Sequence, residues 1–135
     1  MKIFLSYRFT GEDQKELAST IGAVTNSLRE NSHEVYCSLE DEGWFREKKH
    51  TNSEIMEHAF QKINESDLLL AFIRSNDKSE GMLVEIGYAI GKGKRFALAL
   101  RRGAQTTSIH EMANPLIEFE SIPELCQKLN TAFDK

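Results

Sequence analysis

The sequence predicts an α/β protein with an open, five-stranded parallel sheet and helices on both faces. Strand-like and helix-like segments alternate along the whole chain, which is the pattern of a sheet built by crossover connections. The run Asp67 to Ile73 (DLLLAFI) is almost uniformly apolar, as a central parallel strand covered on both faces has to be. Between such runs, apolar residues recur at helical spacing.

In order, Lys2 to Ser6 (KIFLS) reads as the first strand, broken by Arg8 to Gly11. From Glu12 to about Glu30, Leu17, Ile21, Val24 and Leu28 recur at spacings of three and four. Glu12 and Asp13 stand where a helix N-terminus favours negative charge. Asn31-Ser32 ends that helix, and Glu34 to Ser38 (EVYCS) reads as the second strand. Leu39 to His50 shows no periodicity and carries two aromatics, Trp44 and Phe45, expected to be exposed.

Thr51 or Asn52 can cap the next helix, with Ile55, Ala59, Phe60 and Ile63 on one face. After the central strand and a polar loop over 75–78, Ser79 can cap a helix through Lys92. Its buried face is expected to carry Leu83, Ile86, Ala89 and Ile90, with Gly91 and Gly93 as its stop. Arg95 to Leu100 (RFALAL) is the fourth strand. A long polar connection follows, with one helical turn, and Pro115 to Phe119 (PLIEF) is the fifth. Ser121-x-x-Glu124 is a capping box opening the last helix, whose Leu125 and Leu129 face inward.

A chain of 135 residues, 40% hydrophobic and 28% charged with 8 Gly and 2 Pro, reads as one globular domain over 1–135. The formal net charge of -4 argues against a nucleic acid polymer or an anionic membrane as partner, since either calls for a basic face. A small phosphorylated ligand needs only one or two well-placed Arg or backbone N–H groups and stays open. No apolar stretch approaches the roughly 20 residues of a membrane span, and no secretion signal is expected at the N-terminus. Cys37 and Cys126 form no C-x-x-C pair, as expected of reduced thiols in a cytoplasmic protein.

In such sheets a ligand sits outside the carboxyl ends of the strands, near the reversal of strand order. Glu85 falls in the first two turns of the helix after the central strand, among small and apolar neighbours. An ionised, partly desolvated carboxylate there suits attack on a sugar C1 or stabilisation of an oxocarbenium-like cation. A nearby helix terminus is expected to keep it ionised. The bland alternative is a solvated surface Glu. The loop after the first strand offers Ser6, Arg8 and Thr10, followed by Gly11 and a helix N-terminus, which together form a phosphate or carboxylate cradle. Its alternative is Arg8 paired with Glu12 or Asp13. Trp44 and Phe45 read either as a lid over a planar base or as a packed loop.

Metal chemistry is not expected. His33, His50, His58 and His110 lack ligand spacing, and the H-E-x-x-H begun at His110 fails at Asn114. No G-x-S-x-G is present for a nucleophilic serine.

Ser79 to Arg95 (SEGMLVEIGYAIGKGKR) resembles the signature of the nucleoside 2-deoxyribosyltransferase superfamily: a small or acidic residue, a Gly, a nucleophilic Glu, Gly-Tyr-Ala, then Gly-Lys before a strand. Within it the chain looks most like the 2'-deoxynucleoside 5'-monophosphate N-glycosidases. The resemblance implies a flavodoxin-like, Rossmann-like three-layer sandwich, a nucleotide or nucleoside substrate and no cofactor. It implies Glu85 as the catalytic residue and Ser6, Tyr7, Arg8, Ser79 and Gly81 as substrate-binding residues. It also implies a homodimer, with Ser108 reaching the phosphate of the neighbouring subunit. The transferases proper carry an Asp where Ser79 stands, which favours the hydrolase branch.

The chain departs from the pattern at two points. Where the family's first-strand Tyr falls, this chain has Lys2, Ile3 or Phe4, with Tyr7 as the alternative, and the sugar-orienting Asp aligns near Ala59, so that either Glu57 or His58 substitutes or the role is missing. Phe4-Leu5-Ser6-Tyr7-Arg8, the helix before Glu65-Ser66-Asp67, and Ser79 through Glu85 also resemble TIR domains. That second resemblance implies NAD as substrate, again with Glu85 catalytic, or an interaction surface.

Overall fold

The computed structural model describes residues 1–9, 11–77, 79–106 and 108–133. Thr10, named above as part of the loop cradle, lies outside them. Five strands, β1 (Lys2–Tyr7), β2 (Glu34–Cys37), β3 (Leu68–Ile73), β4 (Arg95–Arg101) and β5 (Leu116–Phe119), form one sheet in the order β2-β1-β3-β4-β5. Every neighbouring pair is parallel. The helices are α1 (Gln14–Glu30), α2 (Glu42–Glu47), α3 (Asn52–Asn64), α4 (Glu80–Gly91), α5 (Ile109–Met112) and α6 (Ile122–Ala132). This is the predicted α/β architecture, a flavodoxin-like three-layer sandwich.

Side-chain alternation along the strands divides the core into two. Ile3, Leu5 and Tyr7 of β1 face α1 and α6, meeting Leu17, Ile21, Val24, Leu28, Leu125 and Leu129. Phe4 faces the other way, into a core with Leu69, Ala59, Ile63, Met82, Ile86 and Ala89 under α3 and α4. All six residues of β3 are buried, because β3 lies at the centre of the sheet with a helix layer on each side. Fully burying a side chain of Leu or Phe size contributes about 1.5–3 kcal/mol, so these two clusters carry most of the driving force for folding.

Local chemistry sets the helix starts. Asp13 accepts from the Glu16 N–H at the start of α1. Thr51 and Glu54 exchange side-chain and backbone bonds in a full capping box at α3. Ser79 caps α4 and Ser121 caps α6. Gly93, at φ +75°, follows the end of α4 and takes the left-handed conformation that glycine adopts without steric cost.

The expected buried face of α4 needs correction. Met82, Ile86 and Ala89 are buried, whereas Leu83 is 41% exposed and Val84 47% exposed. The sheet-facing stripe therefore runs one residue earlier than the apolar pattern suggests, because α4 is apolar around much of its circumference and the pattern alone cannot choose a face. The segment 39–50 is also more ordered than its lack of periodicity implies. Ser38–Asp41 forms a 3₁₀ turn and Glu42–Glu47 the short helix α2. Phe45, expected to be exposed, is buried there.

Candidate active site

The sheet order reverses at β1: from there the chain goes outward to β2 and then crosses to β3 on the other side. The loops after β1 and β3 part at that point and open a cleft of about 750 Å³ at the strands' carboxyl ends. Glu85, Arg8, Ser79 and Gly81 line it together with apolar walls that include Phe45 and Met56.

Glu85 reaches the cleft because it shares the sheet-facing stripe of α4 with Met82, Ile86 and Ala89. Residues three and four apart on a helix lie on one face. Ser6 has the same parity as Phe4 on β1, so it points to the α4 side of the sheet, where its Oγ donates to Glu85 Oε1 at 2.7 Å. Ser6 is 1% exposed. Its hydroxyl proton is therefore committed to Glu85, where a phosphate contact had been expected.

Burial pushes the Glu85 carboxyl up to about 7, and the Ser6 bond pulls it part of the way back. The expectation of a carboxylate held ionised by the helix terminus is thus corrected. Glu85 sits in the second turn, where the terminal dipole has faded, and desolvation wins. A carboxyl of this kind is divided between its two protonation states near neutral pH.

Arg8 lines the cleft and is also ion-paired. Its Nη1 lies 2.7 Å from Glu12 Oε2 and 4.0 Å from Asp77 Oδ2. Glu12 is in turn bonded by Arg74, which also meets Glu16 at 2.7 Å. The local pairing weighed as an alternative to the cradle is present, and Arg8 faces the cleft all the same. Gly11 has φ +86°, and a Cβ there would stand 2.7 Å from Arg8 Nη2. The guanidinium lies over the space that only glycine leaves.

Ser79 accepts from the Met82 N–H at 3.1 Å, which uses a lone pair and leaves its O–H as a donor. Gly81 lines the cleft without being required by packing, since an added Cβ would meet Met56 Cε at an ordinary 3.7 Å. Tyr7 lines the cleft too, although its ring packs in the opposite core, and its phenol, held in its neutral form by burial, lies 3.0 Å from Ser38 Oγ. Ser108 is exposed just before α5 and does not line the cleft of its own chain.

Ala59, the position matched to a sugar-orienting Asp, is buried under the sheet, and Glu57 is exposed. His58 Nε2 lies 3.1 Å from Asp41 Oδ2, which also accepts from the Tyr36 hydroxyl at 2.8 Å. This Tyr36, Asp41 and His58 group was not foreseen. The signal available was a carboxylate just beyond the carboxyl end of β2, hidden because the segment lacks periodicity. Trp44 packs in tilted contact against His50 and His58 at ring distances of 4.3 and 5.3 Å. Phe45 alone of the aromatic pair lines the cleft. Among the described residues no group of three His, Cys, Asp or Glu side chains is arranged to hold a metal ion, and no helix is long and apolar enough to cross a membrane.

A largely buried carboxyl in a cleft at the switch point, with a guanidinium and a helix N-terminus beside it, is the arrangement of an α/β enzyme's ligand site. The family model described as nucleoside 2-deoxyribosyltransferase matches residues 6–118. The chain belongs to that family, and its chemistry is nucleoside glycosyl transfer or cleavage.

None of the curated proteins matches the sequence. Among solved structures, the chain is similar to the CMP N-glycosidase BcmB of Clostridium botulinum, with a TM-score of 0.74 and 22% identity over 98% of this chain and 100% of that one. It is also similar to the 2-deoxyribosyltransferase of Bacillus psychrosaccharolyticus, with a TM-score of 0.69 and 20% identity over 93% and 90% of the two chains. A conserved protein from Enterococcus faecalis follows, at 0.65 and 16% identity over 98% and 99%. At these identities the likeness shows the shared fold.

Proposed function

We propose that this enzyme hydrolyses the bond between base and sugar in a (deoxy)nucleoside 5'-monophosphate or a closely related nucleoside, with Glu85 as the catalytic residue. The observation that carries the reading is the single cleft shared by Glu85, Arg8, Ser79 and the first turn of α4. In its ionised form Glu85 attacks C1'. The C1'–N bond breaks as the C1'–O bond forms, and the base leaves with its electron pair and takes up a proton. Water then attacks C1' and returns the carboxylate. Arg8, the Ser79 hydroxyl and the free N–H groups opening α4 are suited to the 5'-phosphate. Ser6 orients Glu85.

The reading includes a homodimer. Leu83 and Val84 on α4, with Gly87 beside them, form an exposed apolar face on the catalytic helix, and Ser108 is exposed and available to a second subunit.

The deciding experiment incubates wild type and Glu85→Ala with ribo- and deoxyribonucleosides, their 5'-monophosphates and NAD, and separates free base chromatographically. Base release from monophosphates by wild type alone is the expected result. Equal release by both proteins removes Glu85 from the mechanism, and nicotinamide release from NAD alone replaces the nucleotide reading with NAD cleavage.

A further inference from the structure

Among the described residues lining the cleft, Arg8 is the one cation, and its charge is already met from within the chain. Glu12 Oε2 lies 2.7 Å from Arg8 Nη1, and the Glu12 side chain is only 13% exposed. A carboxylate oxygen and a phosphate oxygen are the same kind of acceptor for a guanidinium. Glu12 therefore occupies a donor that an incoming phosphate would use.

Its other oxygen, Oε1, is held from two directions on one guanidinium, by Arg74 Nε at 3.2 Å and by Arg74 Nη2. Arg74 is anchored further by Glu16. If Glu12 lets go of Arg8 it is not left as an unpaired, mostly buried charge, because the Arg74 fork still holds it. The cost of exchange stays low, since an orphaned buried charge is the expensive outcome.

We infer that Glu12 is an internal competitor for the substrate phosphate at Arg8, with Arg74 as the partner that receives it on exchange, so that this trio sets the enzyme's preference for phosphorylated over unphosphorylated substrate. The inference rests on the proposed placement of the 5'-phosphate at Arg8. A phosphate dianion outbids a carboxylate monoanion for the guanidinium, whereas a plain nucleoside has nothing to exchange and leaves the Arg8 to Glu12 pair closed.

The test is calorimetric titration of wild type, Glu12→Gln, Arg74→Met and Arg8→Met with one deoxynucleoside 5'-monophosphate and its unphosphorylated nucleoside, each variant first confirmed folded by circular dichroism. Glu12→Gln is expected to raise the ratio of monophosphate to nucleoside affinity about tenfold, the scale of one charge-assisted bond. Arg74→Met is expected to lower that ratio, because the displaced Glu12 then has nowhere to go. A ratio unchanged or reduced in Glu12→Gln, with Arg8→Met still reducing it, overturns the inference and leaves Glu12 a brace for Arg8. A ratio insensitive to Arg8→Met removes the phosphate from Arg8 altogether, which defeats both the inference and the placement beneath it.

Discussion

The Ser6 hydroxyl and the Glu85 carboxylate, 79 positions apart in sequence, meet at 2.7 Å on the α4 side of the sheet. The bond favours the ionised form of a group that burial drives toward the protonated one. If Glu85 is the nucleophile, kcat/KM must rise with pH through about 7 as the carboxylate forms. Ser6→Ala removes the opposing influence, and the limb should move alkaline by about one pH unit, given the strength of a hydrogen bond to a charged group. Ser6→Thr, which keeps the donor, should restore the limb. A pH profile measured on the three proteins checks this, and coincident limbs would show that Ser6 does not act through Glu85.

The same raised carboxyl has a consequence for stability. Its folded value of about 7 lies above its ordinary value of 4.5, so between those values the native state binds more protons than the unfolded one. Stability then falls as pH rises through that window. The penalty is absent below about 4.5 and fully present above about 7, and amounts to a few kcal/mol at most. Glu85→Gln keeps the shape and removes the charge. Its Tm should exceed that of wild type by several degrees at pH 8, and the two should converge at pH 4. Thermal unfolding at both values decides it, and a constant difference across pH would mean that Glu85 is ionised in the fold throughout.

The sheet was legible because burial imposes its own periodicity. Asp67 to Ile73 reads as a central strand since LLLAFI is apolar without a break, too short for a buried helix, and bounded by polar residues. The caps at Ser79 and Ser121 are equally local and equally readable. Glu85 could be placed near the strand ends from its position after β3, but its bond to Ser6 depends on strand parity and on which side α4 packs. The α4 pattern conceals that side, because Leu83 and Val84 are as apolar as Met82 and Ile86. The segment from Ser38 to Glu47 was illegible for another reason: α2 is too short to show a period, and Phe45 is buried by tertiary contact with His50 and His58. The Arg8 to Glu12 pair was visible from its spacing, whereas Arg74, arriving from beyond β3, was not.

Gly11 should behave as part of the Arg8 site although it contributes no side chain. Its φ of +86° disfavours any other residue, and a Cβ would stand 2.7 Å from Arg8 Nη2. Gly11→Ala is expected to cost about 1–2 kcal/mol of stability from the backbone and to push the guanidinium aside. If the Arg8 contact binds substrate and transition state alike, KM for a 5'-monophosphate rises while kcat is little changed. Steady-state kinetics on the folded variant checks the split. A fall in kcat at constant KM would place Arg8 on the reacting groups instead.

The exposed side of α4 carries the last prediction. Leu83 is 41% exposed and Val84, which also lines the cleft, 47% exposed on the helix that positions Glu85. Single exposed apolar side chains need no explanation, but two adjacent ones beside Gly87, one of them at the cleft, form a face that water covers poorly. A two-fold pairing through α4 would bury this face against its own copy and stiffen the element that holds the carboxylate. Light scattering should then give a mass near twice the 15.4 kDa of the chain. Leu83→Glu, which sets two like charges across such an axis, should yield a monomer with reduced turnover. A wild type that is monomeric and fully active, or a Leu83→Glu protein that keeps the doubled mass, would mean that α4 performs its task within one chain.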